Sequence, residues 1–211
     1  QGKELSYTNL LDLDAAARIV MEFAEPAAAV IKHTNPCGAA TASCPADAYR
    51  LARDADLRAA FGGIVGLNRP VDTETARALV STFIEAVIAP SVTEEARAVL
   101  AAKPNLRVVT ADLERGGDHA GRELRSIFGA VLVQSRDEVF EATSAWPRDG
   151  LRVVTERHPT NEEWTALRFA WRVCSHMKSN AVIFTGPDRT LAIGAGQMSR
   201  VDAVNAAVMK G

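Results

Sequence analysis

The sequence predicts an α/β protein, a layered sheet with helices packed against it. Three observations carry this. Short apolar runs of strand length recur at residues 27–31, 63–67, 86–89 and 106–110. Longer segments with apolar faces and polar caps separate them. Turn residues such as Glu25-Pro26, Asn35-Pro36 and Pro90 mark the joins. Strands that alternate with helices in this way form layered α/β sheets.

Each element has its own reason. Asp12 and Asp14 precede an apolar run from Ala15 to Phe23, which predicts a helix with acidic residues at its positive end. Glu25-Pro26 ends it, and residues 27–31 form a buried strand. Lys32-His33-Thr34-Asn35-Pro36-Cys37-Gly38 reads as a turn. A helix follows over residues 45–58, with alanines, leucine and Tyr49 on one face. Residues 63–67 are a strand, and Asp72 or Thr73 caps a helix reaching Phe83. Residues 86–89 are a strand stopped by Pro90, Thr93-Glu94-Glu95 opens a helix to Ala102, and residues 106–110 are a strand.

Residues 111–121 are polar and contain Gly116-Gly117, which marks a boundary. The chain is therefore divided into units 1–121 and 122–211. In the second unit, residues 123–134 are strand-rich and 135–154 read as a hairpin with loops. Thr160 and Glu163 have capping-box spacing and begin a long helix running to Lys178 or Ser179. Its aromatics Trp164, Phe169 and Trp171 are read as core. Residues 181–184 and 190–193 form a hairpin across Gly186-Pro187-Asp188. Ser199 caps a last helix, with Asp202 three residues on.

Composition narrows the function. The 211 residues are 47% hydrophobic and 24% charged, with a net charge of −2. That balance gives no reason to expect a nucleic-acid partner. Cys37, Cys44 and Cys174 are too few and odd in number for a disulfide framework. No secretory signal or bilayer-spanning run is present in the sequence, so the cytoplasm is the expected location. The first residues, Gln1-Gly2-Lys3, and the last, Met209-Lys210-Gly211, read as cut from something longer.

Lys32-His33 at a strand end is the strongest chemical signal. His33 suits a general acid or base, and Lys32 suits a developing oxyanion; a plain polar turn is the alternative. Zinc is disfavoured. A zinc deaminase has His-x-Glu and Pro-Cys-x-x-Cys, whereas His33 is followed by Thr34-Asn35 and Cys37 by Cys44. Cys37 is read as a small buried or half-buried residue. Phe61-Gly62-Gly63 brings backbone close to a flat ligand or is simply a turn. Glu85 accepts ligand hydroxyls or is a solvated helix end. Asn180 presents an amide to a ligand or caps a helix. Gly194-Ala195-Gly196-Gln197-Met198-Ser199-Arg200 feeds a helix amino terminus suited to anions.

Five of these segments occur in order: the Lys32–Gly38 stretch, Phe61-Gly62-Gly63, Val87-Ile88-Ala89-Pro90, Lys178-Ser179-Asn180-Ala181 and Ile193 through Arg200. Together with Leu5-Ser6-Tyr7-Thr8-Asn9-Leu10 they resemble the transformylase part of the bifunctional AICAR transformylase/IMP cyclohydrolase (PurH) family. The resemblance implies two cytidine-deaminase-like α/β units in tandem without zinc, the second incomplete. It implies formyl transfer from 10-formyltetrahydrofolate to the 5-amino group of AICAR ribonucleotide. No tightly bound cofactor is implied, and the family is a homodimer with active sites at the interface.

By the same resemblance, His33 is the general base, Lys32 stabilises the oxyanion or protonates the departing folate nitrogen, and Asn180 orients the transfer. Phe61, Gly62, Glu85 and Arg200 are nucleotide contacts, and Val201 lies against the folate. The family's Arg-Tyr-Gly phosphate segment, its later folate loop and the cyclohydrolase part are not in this sequence. A folded, non-catalytic piece that binds nucleotide or dimerises is therefore the alternative. The expected outcome of a transformylase assay on the purified 211-residue chain is little or no turnover. Turnover at rates typical of enzymes, about 1–10³ s⁻¹, contradicts this.

Overall fold

The computed structural model describes residues 2–113 and 121–211. The expected Gly116-Gly117 boundary lies outside the described residues. The α/β class holds, and a five-stranded sheet carries it.

The first helix, α1 (Tyr7–Met21), starts five residues before Asp12. Ser6 is its cap: its hydroxyl accepts from the Asn9 N–H, and Asn9 Oδ1 accepts from the Ser6 N–H at 3.1 Å. This closed capping box outweighs the acidic pair as a start signal.

The strand β1 (Ala27–Lys32) does not run out into a loop. His33 and Thr34 both adopt left-handed backbone, with φ of 53° and 62°. Two such residues make a tight hairpin, so Asn35 begins a second strand, β2 (Asn35–Thr41). Pro36 is tolerated because β2 stands at the end of the strand order and Cys37 is the extra residue of a bulge between Val30↔Gly38 and Ile31↔Pro36.

The predicted helix over 45–58 is two: α2 (Pro45–Asp54) and α3 (Leu57–Ala60). Asp56 breaks it by accepting from the Ala59 N–H at 3.0 Å, capping the second piece. Then follow β3 (Gly63–Leu67), α4 (Thr73–Val80), β4 (Ile84–Ala89), α5 (Glu94–Leu100) and β5 (Arg107–Thr110). Asp72 and Thr93 cap α4 and α5, as their positions predict.

The sheet order is β2-β1-β3-β4-β5. β1 is antiparallel to both neighbours, whereas β3, β4 and β5 are parallel. Alternate side chains enter two cores. Val30, Val65 and Val87 pack beneath α2, α4 and α5, with Tyr49 and Leu79. Ile31, Ile64 and Ile88 pack beneath α1 and a later helix, with Ile19, Phe23, Phe169 and Val173.

In the later part, β6 (Arg122–Ile127) and β7 (Ala130–Ser135) form a hairpin exposed along both strands. The hairpin expected over 135–154 is absent. The segment holds a 3₁₀ turn, Phe140–Ala142, tied to α6 (Asn161–Cys174) by Arg168 and Arg172 donating to the Ala142 carbonyl. The predicted Thr160/Glu163 capping box is present. However, α6 ends at Cys174, because Ser175 caps it and its hydroxyl donates to the Arg172 carbonyl at 2.8 Å. Phe169 is core, but Trp171 is half exposed and meets Trp146, which also packs edge-on to Trp164. The β8 (Val182–Thr185) and β9 (Thr190–Gly194) hairpin and α7 (Arg200–Val208) with its Ser199 cap follow as predicted. No helix among the described residues is long and apolar enough to cross a membrane.

Asn68 is a buried junction that the sequence does not advertise. Its Oδ1 accepts from the Ala27 N–H at 2.8 Å, and its Nδ2 faces the carbonyls of Val20, Phe23 and Glu25 at 3.2, 2.9 and 2.8 Å. One side chain thus fixes the α1–β1 connection. Asn68→Ala leaves these groups without their partner, at a cost of about 3 kcal/mol by urea unfolding. A loss below about 0.5 kcal/mol contradicts this.

Candidate active site

The Lys32-His33 pair lies at the carboxyl end of β1, but this is the amino-terminal end of β3, β4 and β5. The pair is at the carboxyl end of its own strand but at the edge opposite the one where open parallel sheets usually place their ligands. The hairpin at His33-Thr34 runs β1 against the parallel strands, so their opposite edge carries the pair.

Lys32 is held in place. Its ammonium donates to the carbonyls of Phe61 at 2.9 Å and Gly62 at 3.0 Å, which leaves one of its three donors free of these bonds. Gly62 has φ +67°, and a Cβ there would lie 3.2 Å from Lys32 Nζ and from Phe83. Its N–H donates to the Phe83 carbonyl at 2.8 Å, and the Phe61 and Phe83 rings meet at 5.2 Å. The structure therefore joins Lys32, Phe61 and Gly62 directly.

His33 is exposed, and its ring makes no hydrogen bond with any described residue. Its backbone is fixed instead. Asp12 of α1 accepts from the Thr34 N–H at 2.6 Å, and Asn35 Nδ2 donates to the His33 carbonyl at 3.4 Å.

Asn35 also reaches the later part of the chain: its Oδ1 accepts from the Lys178 N–H at 3.1 Å. Lys178 in turn accepts from the Gly196 N–H at 2.8 Å, and Asn180 and Gln197 exchange two backbone bonds across a cis Ser179-Asn180 peptide. Asn180 is not a helix cap, since α6 ends before it. Its Nδ2 donates to the carbonyls of Gln197 at 3.1 Å and Met198 at 3.2 Å, and its Oδ1 accepts from no described residue. The turn, Asn180 and the glycine loop thus form one connected group.

Glu85 is the extra residue of a bulge, because Gly63 faces Ile84 and Ile64 faces Ala86. The bulge turns its carboxylate toward α1, where Asn9 Nδ2 donates to Oε2 at 3.3 Å and Arg107 Nη1 lies 3.6 Å away. Glu85 lines a cavity of about 440 Å³ with Phe83, Asn105 and Arg107. Arg200 and Val201 open α7, both exposed. No described contact joins them to Lys32, His33 or Glu85.

Asp12, Asn35, Asn9 and Arg107 were missed as site residues. Asn35-Pro36 read as a loop breaker, which hid a bridging amide. Asn9 stood three residues after a serine, the one legible signal. Cys37 is buried, which pushes its thiol up to about 12, so it suits neither thiolate ligation nor attack. Among the described residues no three His, Cys, Asp or Glu side chains cluster as a metal site.

The family described as AICARFT/IMPCHase bienzyme matches residues 1–210. The chain belongs to this bienzyme family. It is 52% identical over 210 residues to the bifunctional purine biosynthesis protein PurH of Nostoc punctiforme, covering 99% of this chain and 39% of that protein. PurH of Sorangium cellulosum matches at 52% over 209 residues, with coverage of 99% and 39%. PurH of Anaeromyxobacter sp. strain K matches at 52% over 217 residues, with 100% and 40%. The chain thus spans about two fifths of the length of these bienzyme relatives.

The Cys37 geometry gives a direct check. At pH 8 a thiol with a pKa of about 12 is ionised in only about one molecule in ten thousand. Iodoacetamide on the folded chain is expected to modify half-buried Cys44 well before Cys37, read by mass spectrometry. Equal rates contradict this environment.

Proposed function

We propose that this chain carries the Lys-His centre of a folate-dependent formyltransferase, moving formyl from 10-formyltetrahydrofolate to the 5-amino group of AICAR ribonucleotide in purine synthesis. The observation that carries it is Lys32 held by two carbonyls beside an exposed His33, in a chain whose family is a formyltransferase bienzyme. The aromatic amine is a weak nucleophile, and attack on the formyl carbon builds a charged tetrahedral species. His33 takes the amine proton as the C–N bond forms. The free Lys32 donor meets the developing oxyanion. As the tetrahedral species collapses, the bond from the formyl carbon to folate N10 breaks. That nitrogen departs with a proton from Lys32 or from the protonated His33, releasing tetrahydrofolate. Each effect is worth on the order of 10²–10⁴-fold in rate.

The remaining residues take binding roles. The Asn180 Oδ1 accepts from the nucleotide carboxamide. Glu85 accepts from a ribose hydroxyl, with Phe61 and Gly62 beside the nucleotide. Arg200 meets an anionic group, and Val201 packs on folate. The reading includes two cytidine-deaminase-like units, 1–121 and 122–211, the second incomplete, in a cytoplasmic homodimer with its active site at the interface. Folate is a cosubstrate here, and no tightly bound cofactor is needed.

The test is calorimetric titration of AICAR ribonucleotide into the chain and its His33→Ala and Glu85→Ala variants. Saturable binding is expected, weakened at least about tenfold by Glu85→Ala, which is 1.4 kcal/mol. Equal affinity in all three, or no saturable binding up to millimolar nucleotide, contradicts the proposal.

A further inference from the structure

We propose that Asn9 is a positioning residue for Glu85, setting which carboxylate oxygen is offered to the ribose. This rests on the reading of Glu85 as a hydroxyl acceptor given above. Asn9 is 6% exposed and sits at the third position of α1. Its capping work uses Oδ1 and the backbone N–H, which pair with the Ser6 N–H and hydroxyl. The Nδ2 is left over from the cap, and it donates to Glu85 Oε2 at 3.3 Å.

The residue type matters. Capping boxes usually place glutamate or glutamine at this position. A carboxylate would serve the cap equally well but would set a like charge against Glu85. The asparagine amide supplies an oxygen acceptor for Ser6 and a separate N–H donor for Glu85 on one short side chain. Because the cap fixes Asn9, the donor has one direction.

Arg107 reinforces the hold. Its Nη1 lies 3.6 Å from the same Oε2, and its Nε donates to the Glu4 carbonyl at 2.7 Å, just before α1. Oε2 is therefore held from two sides. Oε1 accepts from no described residue, and Glu85 lines the cavity of about 440 Å³. A carboxylate with one oxygen fixed and one presented recognises a sugar hydroxyl by charge-assisted hydrogen bonds. The inference is that helix α1, through its own cap, sets discrimination between ribose and deoxyribose.

The experiment titrates AICAR ribonucleotide and its 2′-deoxy and 3′-deoxy counterparts into the chain by calorimetry, with thermal melts alongside. Asn9→Asp keeps an oxygen for the Ser6 N–H but replaces the donor to Glu85. Ser6→Ala removes only the hydroxyl half of the cap; it keeps the residue-6 N–H that fixes Asn9 Oδ1, and with it the donor to Glu85. The unsubstituted chain is expected to prefer the ribonucleotide over at least one deoxy counterpart by roughly tenfold or more. Asn9→Asp is expected to reduce the preference below about threefold, while Ser6→Ala lowers the melting temperature and leaves the preference intact. Asn9→Leu, nearly isosteric and uncharged, reads the same loss if Asn9→Asp fails to fold. Full preference in the folded Asn9 variants, with loss in Glu85→Ala, overturns the positioning role and leaves the Glu85 reading standing. Full preference in Glu85→Ala, or none in the unsubstituted chain, overturns that reading and this inference with it.

Discussion

Two consecutive left-handed residues, His33 and Thr34, are the constraint on which the rest of the site depends. Neither is glycine, and each left-handed residue costs roughly 1–2 kcal/mol. The turn is held by what surrounds it. Asp12 accepts from the Thr34 N–H, Asn35 donates to the His33 carbonyl, and the strands on either side pair through six register positions. In return the turn reverses the chain within two residues. It makes β1 antiparallel to β3 and brings Lys32 to the Phe61 and Gly62 carbonyls, while the His33 ring stays exposed. A looser turn would free Lys32 from this edge and release Asn35 from Lys178.

The same reversal links the two parts of the chain. Asn35 can bridge to Lys178 only because it starts β2 directly after the turn. Farther along β2, Thr190 accepts from the Ala39 N–H at 3.0 Å, and Lys210 at the end of α7 meets Asp56 at 3.0 Å. On the opposite face Phe23 packs on Phe169, and Glu22 meets His176 at 3.2 Å. Several independent contacts therefore hold the Asn180 loop against the Lys32-His33 turn. Positioning of this kind is what the proposed Lys32-His33 centre requires.

Much of the fold was legible in local pattern. The runs 63–67 and 86–89, the Asp72, Thr93 and Ser199 caps and the Thr160/Glu163 box stand where periodicity and capping chemistry place them. What was not legible depended on non-local partners. Asn35-Pro36 carries a loop signal, yet β1 pairing makes it a strand. Asp12 looks like a helix-start acid and is in fact the anchor of a turn 22 residues away. The same holds for the site. Lys32, Phe61 and Gly62 were named from their types, and the structure joins them. Asn9 and Arg107 look like ordinary surface residues until the Glu85 bulge brings a carboxylate to them. Their contacts with Glu85 follow from strand register, which one-dimensional pattern does not encode.

The central claim is that the turn-held Lys32-His33 pair and the Glu85 carboxylate face one nucleotide. A crystal structure of the chain with AICAR ribonucleotide bound tests this most directly. The account predicts the 5-amino nitrogen within hydrogen-bond reach of the His33 ring and a ribose hydroxyl on Glu85 Oε1. Nucleotide bound with neither contact would contradict it.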